Sequence, residues 1–332
     1  MSEGNDYTPG VWSAATHDFA SAKQAYATII DRSYDDAVQS GVDAADLLPD
    51  SLVCTSRGSL TIVFDVTASM EKWPQTMFSK LPYFDHETKE YLGEDTQIAY
   101  LAVGDAHGDD YPLQAQPYAT GLELKANLEK LIPEGGGLGN GGESYDLAAL
   151  YCLRNISLPN AVRPILIFIG DENFFDTVLP DHAKRYAKVI LPEKLATEQV
   201  FKELMQKFSV YLIRKPYGHN SDGDMNSEDK MIHTRWVKLL GAERVSYLPD
   251  PNRVVDTIFG ILATDTDRIP YFEMEITARQ TPDQVKMVME SLKTIHAGHL
   301  ALPVPPAGGG KSTMHTSTAG TKTKSLLSTE EE

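Results

Sequence analysis

Residues 60–69 read LTIVFDVTAS, and they carry the strongest indication of the fold class. Its first half, residues 60–64, is a short apolar run without the alternation of a half-exposed strand. Such a run is typical of a strand that is buried on both faces of a sheet. Polar residues follow at once, where the strand is expected to end. The stretch therefore predicts a buried parallel strand with polar side chains at its carboxyl end.

Further apolar runs follow along the chain, and segments with helical spacing lie between them. The runs are residues 97–103, 165–169, 210–213 and 245–248. The helical segments are residues 74–82, 121–131, 144–153, 181–206 in two pieces, 228–240 and 252–263. Strands that alternate with helices build a mostly parallel sheet covered on both faces. The pattern predicts a doubly wound α/β fold, with residues 111–118 as an antiparallel edge strand.

Composition divides the chain into segments. They are an acidic N-terminal helical extension (1–57), the α/β domain (58–265), a strand and a helix packed on that domain (266–300), and a disordered tail (301–332). The helix of the extension is predicted at residues 17–39 and is expected to pack on the domain. The strand and helix are predicted at residues 271–276 and 281–294. The tail is rich in Pro, Gly, Ser, Thr and Lys and cannot bury enough apolar surface to offset its ordering entropy.

The bulk charge and the cysteines restrict the class of protein. The 332 residues carry a formal net charge of −17. Nucleic acid is not an expected partner, because its binding needs a basic surface that displaces counterions from phosphate. No apolar stretch approaches the ~20 residues that span a bilayer, and no secretory signal is recognisable. The two cysteines, Cys54 and Cys152, are expected to be free thiols. These features predict a cytoplasmic protein that does not insert into membranes.

Asp65, Thr67 and Ser69 alternate in the loop that leaves the first strand. Alternate residues of such a loop can point towards one spot above the carboxyl end of the strand, where parallel sheets place their ligand sites. One carboxylate and two hydroxyls are hard oxygen ligands, which suit Mg²⁺ or Mn²⁺ with water in the remaining positions. The spacing therefore predicts a divalent-metal site.

Here the sequence resembles the von Willebrand factor A (VWA) family. Its metal-ion-dependent adhesion site (MIDAS) begins with Asp-x-Ser-x-Ser after the first strand. The first Ser is Thr67 in this chain, which keeps the hydroxyl. The resemblance covers residues 58–265 and implies a Rossmann-like sheet with helices on both faces.

The resemblance also implies two further metal ligands. The family has a Gly-rich loop that supplies a hydroxyl just before a helix, and residues 134–144 (EGGGLGNGGES) match it. Ser144 then stands where the family usually has Thr, while the neighbouring Glu143 can ligate instead or act through water. The last ligand of the family is an Asp after a later strand, and Asp171 matches it, directly after residues 165–170.

An acidic cluster, residues 104–110 (GDAHGDD), follows the second predicted strand. If that strand is parallel to the first, Asp105 emerges on the same side of the sheet as Asp65. Two interpretations stay open. Gly and Asp favour solvated turns, and Asp105 or His107 can instead shape the rim of the metal site by orienting its ligands.

The resemblance implies a protein-binding module and not an enzyme. In the family the metal typically leaves one coordination position for a partner's carboxylate, so the expected partner is a protein that presents Asp or Glu. Many intracellular relatives work inside multiprotein complexes, which makes an adaptor or scaffold the first hypothesis.

Two other classes of function remain open. A metal-dependent phosphoesterase or hydrolase would need a general base near the metal, and the candidates are Glu143, His107 and Glu172. Alternatively, the metal only staples the fold, and the acidic N-terminal segment makes the contacts with partners.

Overall fold

The computed structural model describes residues 11–12, 18–70, 72–133, 141–217 and 225–301. The predicted tail lies outside these ranges except for Ala301, and so does most of the Gly-rich loop. The described strands are β1 (Leu52–Val53), β2 (Gly58–Asp65), β3 (Gln97–Val103), β4 (Leu113–Ala115), β5 (Ile156–Ser157), β6 (Arg163–Gly170), β7 (Thr177–Val178), β8 (Leu195–Ala196), β9 (Ser209–Arg214) and β10 (Val245–Tyr247).

The described helices alternate with these strands. They are α1 (Phe19–Ser40), α2 (Lys72–Ser79), α3 (Leu81–Leu92), α4 (Leu122–Glu129), α5 (Tyr145–Asn155), α6 (Pro180–Tyr186), α7 (Thr197–Lys207), α8 (Ser227–Leu240), α9 (Val254–Asp265), α10 (Ile269–Arg279) and α11 (Pro282–Ala301). Each helix in the described ranges is too short or too polar to cross a lipid bilayer.

Six strands form the central sheet in the order β10-β9-β6-β2-β3-β4. Neighbouring strands are parallel except for β4, which runs antiparallel to β3 at the edge. Both the mostly parallel sheet and the antiparallel edge strand are confirmed. Two short pairs lie outside this sheet and were not predicted: β1 with β5, and β7 with β8.

The core lies on both faces of β2, whose residues are all buried. Because successive side chains of a strand point to opposite faces, Leu60, Ile62 and Phe64 enter one apolar cluster while Val63 enters the other. The first cluster is covered by α1 to α4 and α9 to α11, and the second by α5 to α8. This two-sided burial explains why the strand reads as a continuous apolar run.

The N-terminal helix packs on the domain, as expected. Asp18 caps α1, since its Oδ1 accepts a hydrogen bond from the backbone N–H of Ser21 at 2.6 Å. The ring of Tyr26 stacks on Phe78 of α2 with 4.6 Å between centroids. Trp12, which precedes α1, is buried and donates from Nε1 to Asp85 Oδ2 at 3.0 Å.

The strand predicted at residues 271–276 is wrong, because this segment belongs to helix α10. The segment looks alternating in sequence, but its buried residues, Phe272 and Ile276, are four residues apart and lie on one face of the helix. Gly260 of α9 makes this docking possible, since a Cβ there would lie 3.1 Å from the Phe272 ring and 2.1 Å from Leu292. Helix α3 was not predicted, since the predicted helical segment at residues 74–82 covers only its first two residues.

Glu87 of α3 gives the fold a predicted dependence on pH. The side chain is buried at the contact with α10, and burial raises the pKa of Glu87 from 4.5 to about 7, although the Tyr271 hydroxyl donates to it at 3.0 Å. Between these two pH values the unfolded chain loses the proton first, so stability falls as pH rises, by at most ~1.4 kcal/mol per pH unit.

The Glu87→Gln variant should lack this component, because its side chain does not titrate. We therefore expect the free energy of unfolding of wild type to drop relative to Glu87→Gln between about pH 5 and about pH 7.5. Urea unfolding of both proteins at the two pH values measures it. An identical pH dependence in the two proteins would contradict the prediction.

Candidate functional site

Asp65 and Asp171 lie at the carboxyl edge of two adjacent central strands. Asp65 ends β2, and Asp171 directly follows β6, with Phe64 opposite Ile169 in the parallel register. Both side chains are buried. Ser69, in the short helical turn after β2, donates from Oγ to Asp171 Oδ1 at 3.0 Å. The structure thus joins the loop after β2 to Asp171 across the top of the sheet.

Every oxygen of the Asp65 carboxylate has a neutral donor. Oδ1 accepts from the backbone N–H of Thr67 at 3.0 Å and from its hydroxyl at 2.6 Å, and Oδ2 accepts from the Tyr145 hydroxyl at 2.8 Å. Burial, followed by the charge of Asp171, nevertheless raises the pKa of Asp65 to about 7. The donors therefore do not offset the cost of holding these two carboxylates together, and a cation bound between them would lower it.

Tyr145 was not predicted as part of the site, although it stands next to Ser144 in the sequence. Its ring approaches β6 so closely that a Cβ at Gly170 would lie 1.8 Å from its hydroxyl and 3.1 Å from Asp65 Cβ. Gly170 thus leaves the space that lets Tyr145 reach Asp65. No local motif announces this contact, because it joins residues that are far apart in the chain.

Gly170→Ala is expected to lower the free energy of unfolding by about 1–3 kcal/mol, because the new methyl overpacks a filled space. Adding Tyr145→Phe removes the nearest atom and should recover part of the loss. Urea unfolding of the single and double variants measures both effects. A Gly170→Ala protein as stable as wild type would show that the Tyr145 ring can move aside freely.

Glu143 and Ser144 directly precede α5. The Ser144 hydroxyl accepts from the backbone N–H of Ala106 at 2.9 Å, and its own N–H donates to Gly104 O at 2.9 Å. These bonds tie the start of α5 to the loop after β3. Ser144 makes no hydrogen bond to Asp65 or Asp171 among the described residues, and it keeps one hydroxyl lone pair for a ligand.

Glu143 is 5% exposed, and its Oε2 has no hydrogen-bond partner among the described residues. Burial raises its pKa to about 11, with a further contribution from the charge of Asp65. A buried, unpartnered carboxyl beside Asp65 needs an explanation, and coordination of a cation is one. Of the two alternatives from the sequence, Ser144 is engaged with the β3 loop and Glu143 has an oxygen to offer.

The loop after β3, residues 104–110, borders the site and contains Asp105. Asp105 is 1% exposed, and its Oδ1 accepts from the backbone N–H and the Nδ1 of His107, each at 2.9 Å. Its own N–H donates to Asp109 at 2.6 Å. The carboxylate is therefore occupied in closing the turn that leads into His107. The contact of this loop with the site is indirect, because the backbone N–H of the neighbouring Ala106 donates to the Ser144 hydroxyl.

Lys215 is a second residue that sequence reasoning missed. It follows β9, the neighbour of β6 in the sheet, and its Nζ forms an ion pair with Asp171 Oδ2. Its backbone N–H donates to Gly170 O at 2.9 Å, which holds it beside Asp171. The available signal was its position two residues after the predicted strand at residues 210–213.

The donor set fits a hard divalent cation. Two buried carboxylates lie beside the hydroxyl groups of Thr67 and Ser69, and Glu143 adds a carboxyl oxygen that has no other partner. Across the described ranges, no group of three or more His, Cys, Asp or Glu side chains is arranged to hold a metal ion. A cation at this edge would therefore depend on hydroxyls and water as well as carboxylates.

Comparisons with known proteins add a distant likeness. No family model and no curated protein matches the chain. Among solved structures, the open conformation of the pilus adhesin SpaC from Lactobacillus rhamnosus GG aligns with 65% of this chain and 31% of that one, at 7% identity and a TM-score of 0.43. A second form of SpaC aligns with 65% and 32%, at 8% identity and a TM-score of 0.43. This chain thus spans about a third of the adhesin's length. A likeness at this level assigns no function.

Proposed function

We propose that this chain is a VWA-type protein-binding module with a MIDAS-like divalent-metal site. Mg²⁺ or Mn²⁺ would be held by Asp65, Thr67, Ser69 and Asp171, with Ser144 or Glu143 as a further ligand. The partner would be a protein that presents an Asp or Glu side chain. The chain would then serve as an adaptor or scaffold, for example within a multiprotein complex.

The observation that carries this proposal is the pair of buried carboxylates at the edges of adjacent strands. Asp65 and Asp171 come close enough for the charge of one to raise the pKa of the other. Ser69 connects the two loops by its hydrogen bond to Asp171. Buried like charges are expensive to hold together unless a cation shares them.

The charges of the chain's own residues favour binding over turnover. Asp65 and Asp171 together supply two negative charges, which would balance a divalent ion, while the hydroxyls of Thr67 and Ser69 orient it without adding charge. The bound ion would supply an electrophilic centre that a partner carboxylate can complete. Glu143, if ionised, would weaken that attraction. The protonated form of Glu143 therefore suits a partner-binding site better.

Affinity capture in Mg²⁺ and in EDTA tests the proposal, with Thr67→Val as the matched variant. Valine keeps the shape of Thr67 and removes one hydroxyl. We expect partners to be retained by wild type in Mg²⁺ and lost in EDTA and in Thr67→Val. The same partners in all conditions would show that the metal site is not the contact surface.

Hydrolysis is a second candidate, because Glu143 and the half-buried Glu172 lie near the site. The Oε2 atoms of Glu143 and Glu172 both lack a hydrogen-bond partner among the described residues, and burial raises the pKa of each carboxyl. A general base must be ionised and within reach of a metal-bound water, and a divalent ion beside these carboxyls would favour their ionised forms. Turnover of p-nitrophenyl phosphate with Mn²⁺, lost in Asp65→Ala, would favour an enzyme.

The structural interpretation of the metal makes a different prediction. If the ion only stabilises the fold, EDTA should lower the melting temperature, and the capture of partners should depend on residues 1–57. Deleting those residues removes α1, which packs on α2, so the comparison needs substitutions on the exposed acidic face of α1. Asp35 and Asp36 are exposed there and can be replaced together by Asn.

A further inference from the structure

Lys215 brings a cation of the chain itself to the candidate metal site. Its ammonium pairs with Asp171 Oδ2, and Ser69 donates to Oδ1 of the same carboxylate. Both oxygens of Asp171 are therefore engaged by groups of the protein. The Asp171 side chain is 2% exposed and that of Lys215 is 25% exposed, so the ion pair lies at the border between the site and solvent.

The charges around Asp171 determine how this ion pair would affect metal binding. Among the described residues, Asp65 and Glu143 have no ion pair with a cationic side chain, and Asp171 has one, with Lys215. A divalent ion at these carboxylates would draw on the same negative charge of Asp171. Two cations at one carboxylate repel each other, most strongly where burial limits screening by water.

We propose that Lys215 competes with the divalent ion for Asp171 and so sets the metal affinity of the site. This inference rests on the proposed metal-dependent function. Metal loading requires the ammonium to leave Asp171. Lys215 thereby keeps the affinity low, and it offsets the charge of Asp171 when no ion is bound.

The surroundings of Lys215 give the ammonium a place to move. A pocket of about 290 Å³ lies beside it and opens to solvent. Its lining residues are Ala68, Ser69, Lys72, Trp73, Lys215, Pro249 and Pro251. Because a lysine has four rotatable side-chain bonds and a strongly hydrated head group, it can reach water from here without a change in the backbone.

The test is a calorimetric titration with Mn²⁺ of wild type and of three variants, Lys215→Met, Lys215→Arg and Lys72→Met. Methionine is an unbranched side chain one atom shorter than lysine, and it removes the charge. Lys72 lines the same pocket without an ion pair to Asp171 in the described structure. We expect Lys215→Met to bind Mn²⁺ about ten-fold more tightly than wild type, with Lys215→Arg and Lys72→Met close to wild type.

A second readout is independent of any partner. Without added metal, Lys215→Met should melt at a lower temperature than wild type, because Asp171 loses its counter-charge. Added Mn²⁺ should then raise its melting temperature by more than it raises that of wild type.

The outcomes separate this inference from the proposed function. Equal or weaker Mn²⁺ binding by Lys215→Met, with binding by wild type, would overturn the competition and leave the metal site standing. An equal gain in Mn²⁺ affinity in Lys72→Met would also overturn the competition. The gain would then come from removing any positive charge at the pocket, and not from the ion pair with Asp171. Binding by Lys215→Met alone would support the competition. No binding by any of the proteins at about 10 mM Mn²⁺ would overturn both ideas.

Discussion

Replacing Asp229 by alanine is expected to lower the free energy of unfolding by about 3–5 kcal/mol. Asp229 forms an ion pair with Arg214 of β9, and neither side chain is exposed. It also accepts from the backbone N–H of Tyr217 at 2.9 Å and from the Tyr247 hydroxyl at 2.7 Å. Alanine would leave the Arg214 charge buried and without compensation, which is the costly way to break a buried ion pair.

The control is Glu228→Ala, which changes the exposed neighbour on the same helix. Exposed acidic residues contribute little, so its effect should stay within ~0.5 kcal/mol. Urea unfolding of both variants measures the difference. A loss of less than ~1 kcal/mol in Asp229→Ala would mean that Arg214 finds water or another partner on mutation. Because Arg214 precedes Lys215, a large effect would also show that this pair anchors the strand end beside Asp171.

Asp65→Ala is expected to weaken Mn²⁺ binding at least about a hundred-fold, because one of the two central carboxylates is lost. The cost in stability should be smaller, about 1–3 kcal/mol, since the Tyr145 hydroxyl loses its acceptor. Removing a buried charge near Asp171 acts in the opposite direction. Calorimetric titration with Mn²⁺ and urea unfolding of the same protein measure the two effects separately.

Asp35→Ala is the matched control for that variant, because it removes an exposed carboxylate from α1. Its Mn²⁺ affinity should equal that of wild type. If Asp65→Ala binds Mn²⁺ as well as Asp35→Ala does, the carboxylates at the end of β2 are not the metal site. If Asp65→Ala fails to fold, the structural interpretation of the metal gains support.

The pattern of strands was predictable because each central strand is covered on both faces. Such strands read as apolar runs, and each predicted run corresponds to a strand of the sheet. Residues 271–276 show where the same reasoning fails. Tyr271 and Phe272 begin a segment whose apolar residues fit both an alternating and a helical spacing over so short a length. Packing of Phe272 against Gly260 decides for the helix.

Some residues of the candidate site were likewise predictable from the sequence, and others were not. The spacing of Asp65, Thr67 and Ser69 is local, and the hydrogen bonds from Thr67 to Asp65 join residues two apart. Reasoning from the sequence alone could therefore place these side chains in one loop. The resemblance to the VWA family added Asp171 and the Gly-rich loop, but it did not indicate how their charges are offset.

The fold class and the loop after β2 are predictable from the sequence, because burial and spacing along one strand are local properties. The contacts of Tyr145 and Lys215 with the two carboxylates appear only in the folded chain. So does the burial of Glu143 beside Asp65, with an Oε2 atom that has no hydrogen-bond partner among the described residues. The physical reason is the register of the parallel strands. It follows from the packing of helices on both faces, and it brings together residues that no spacing along the chain connects.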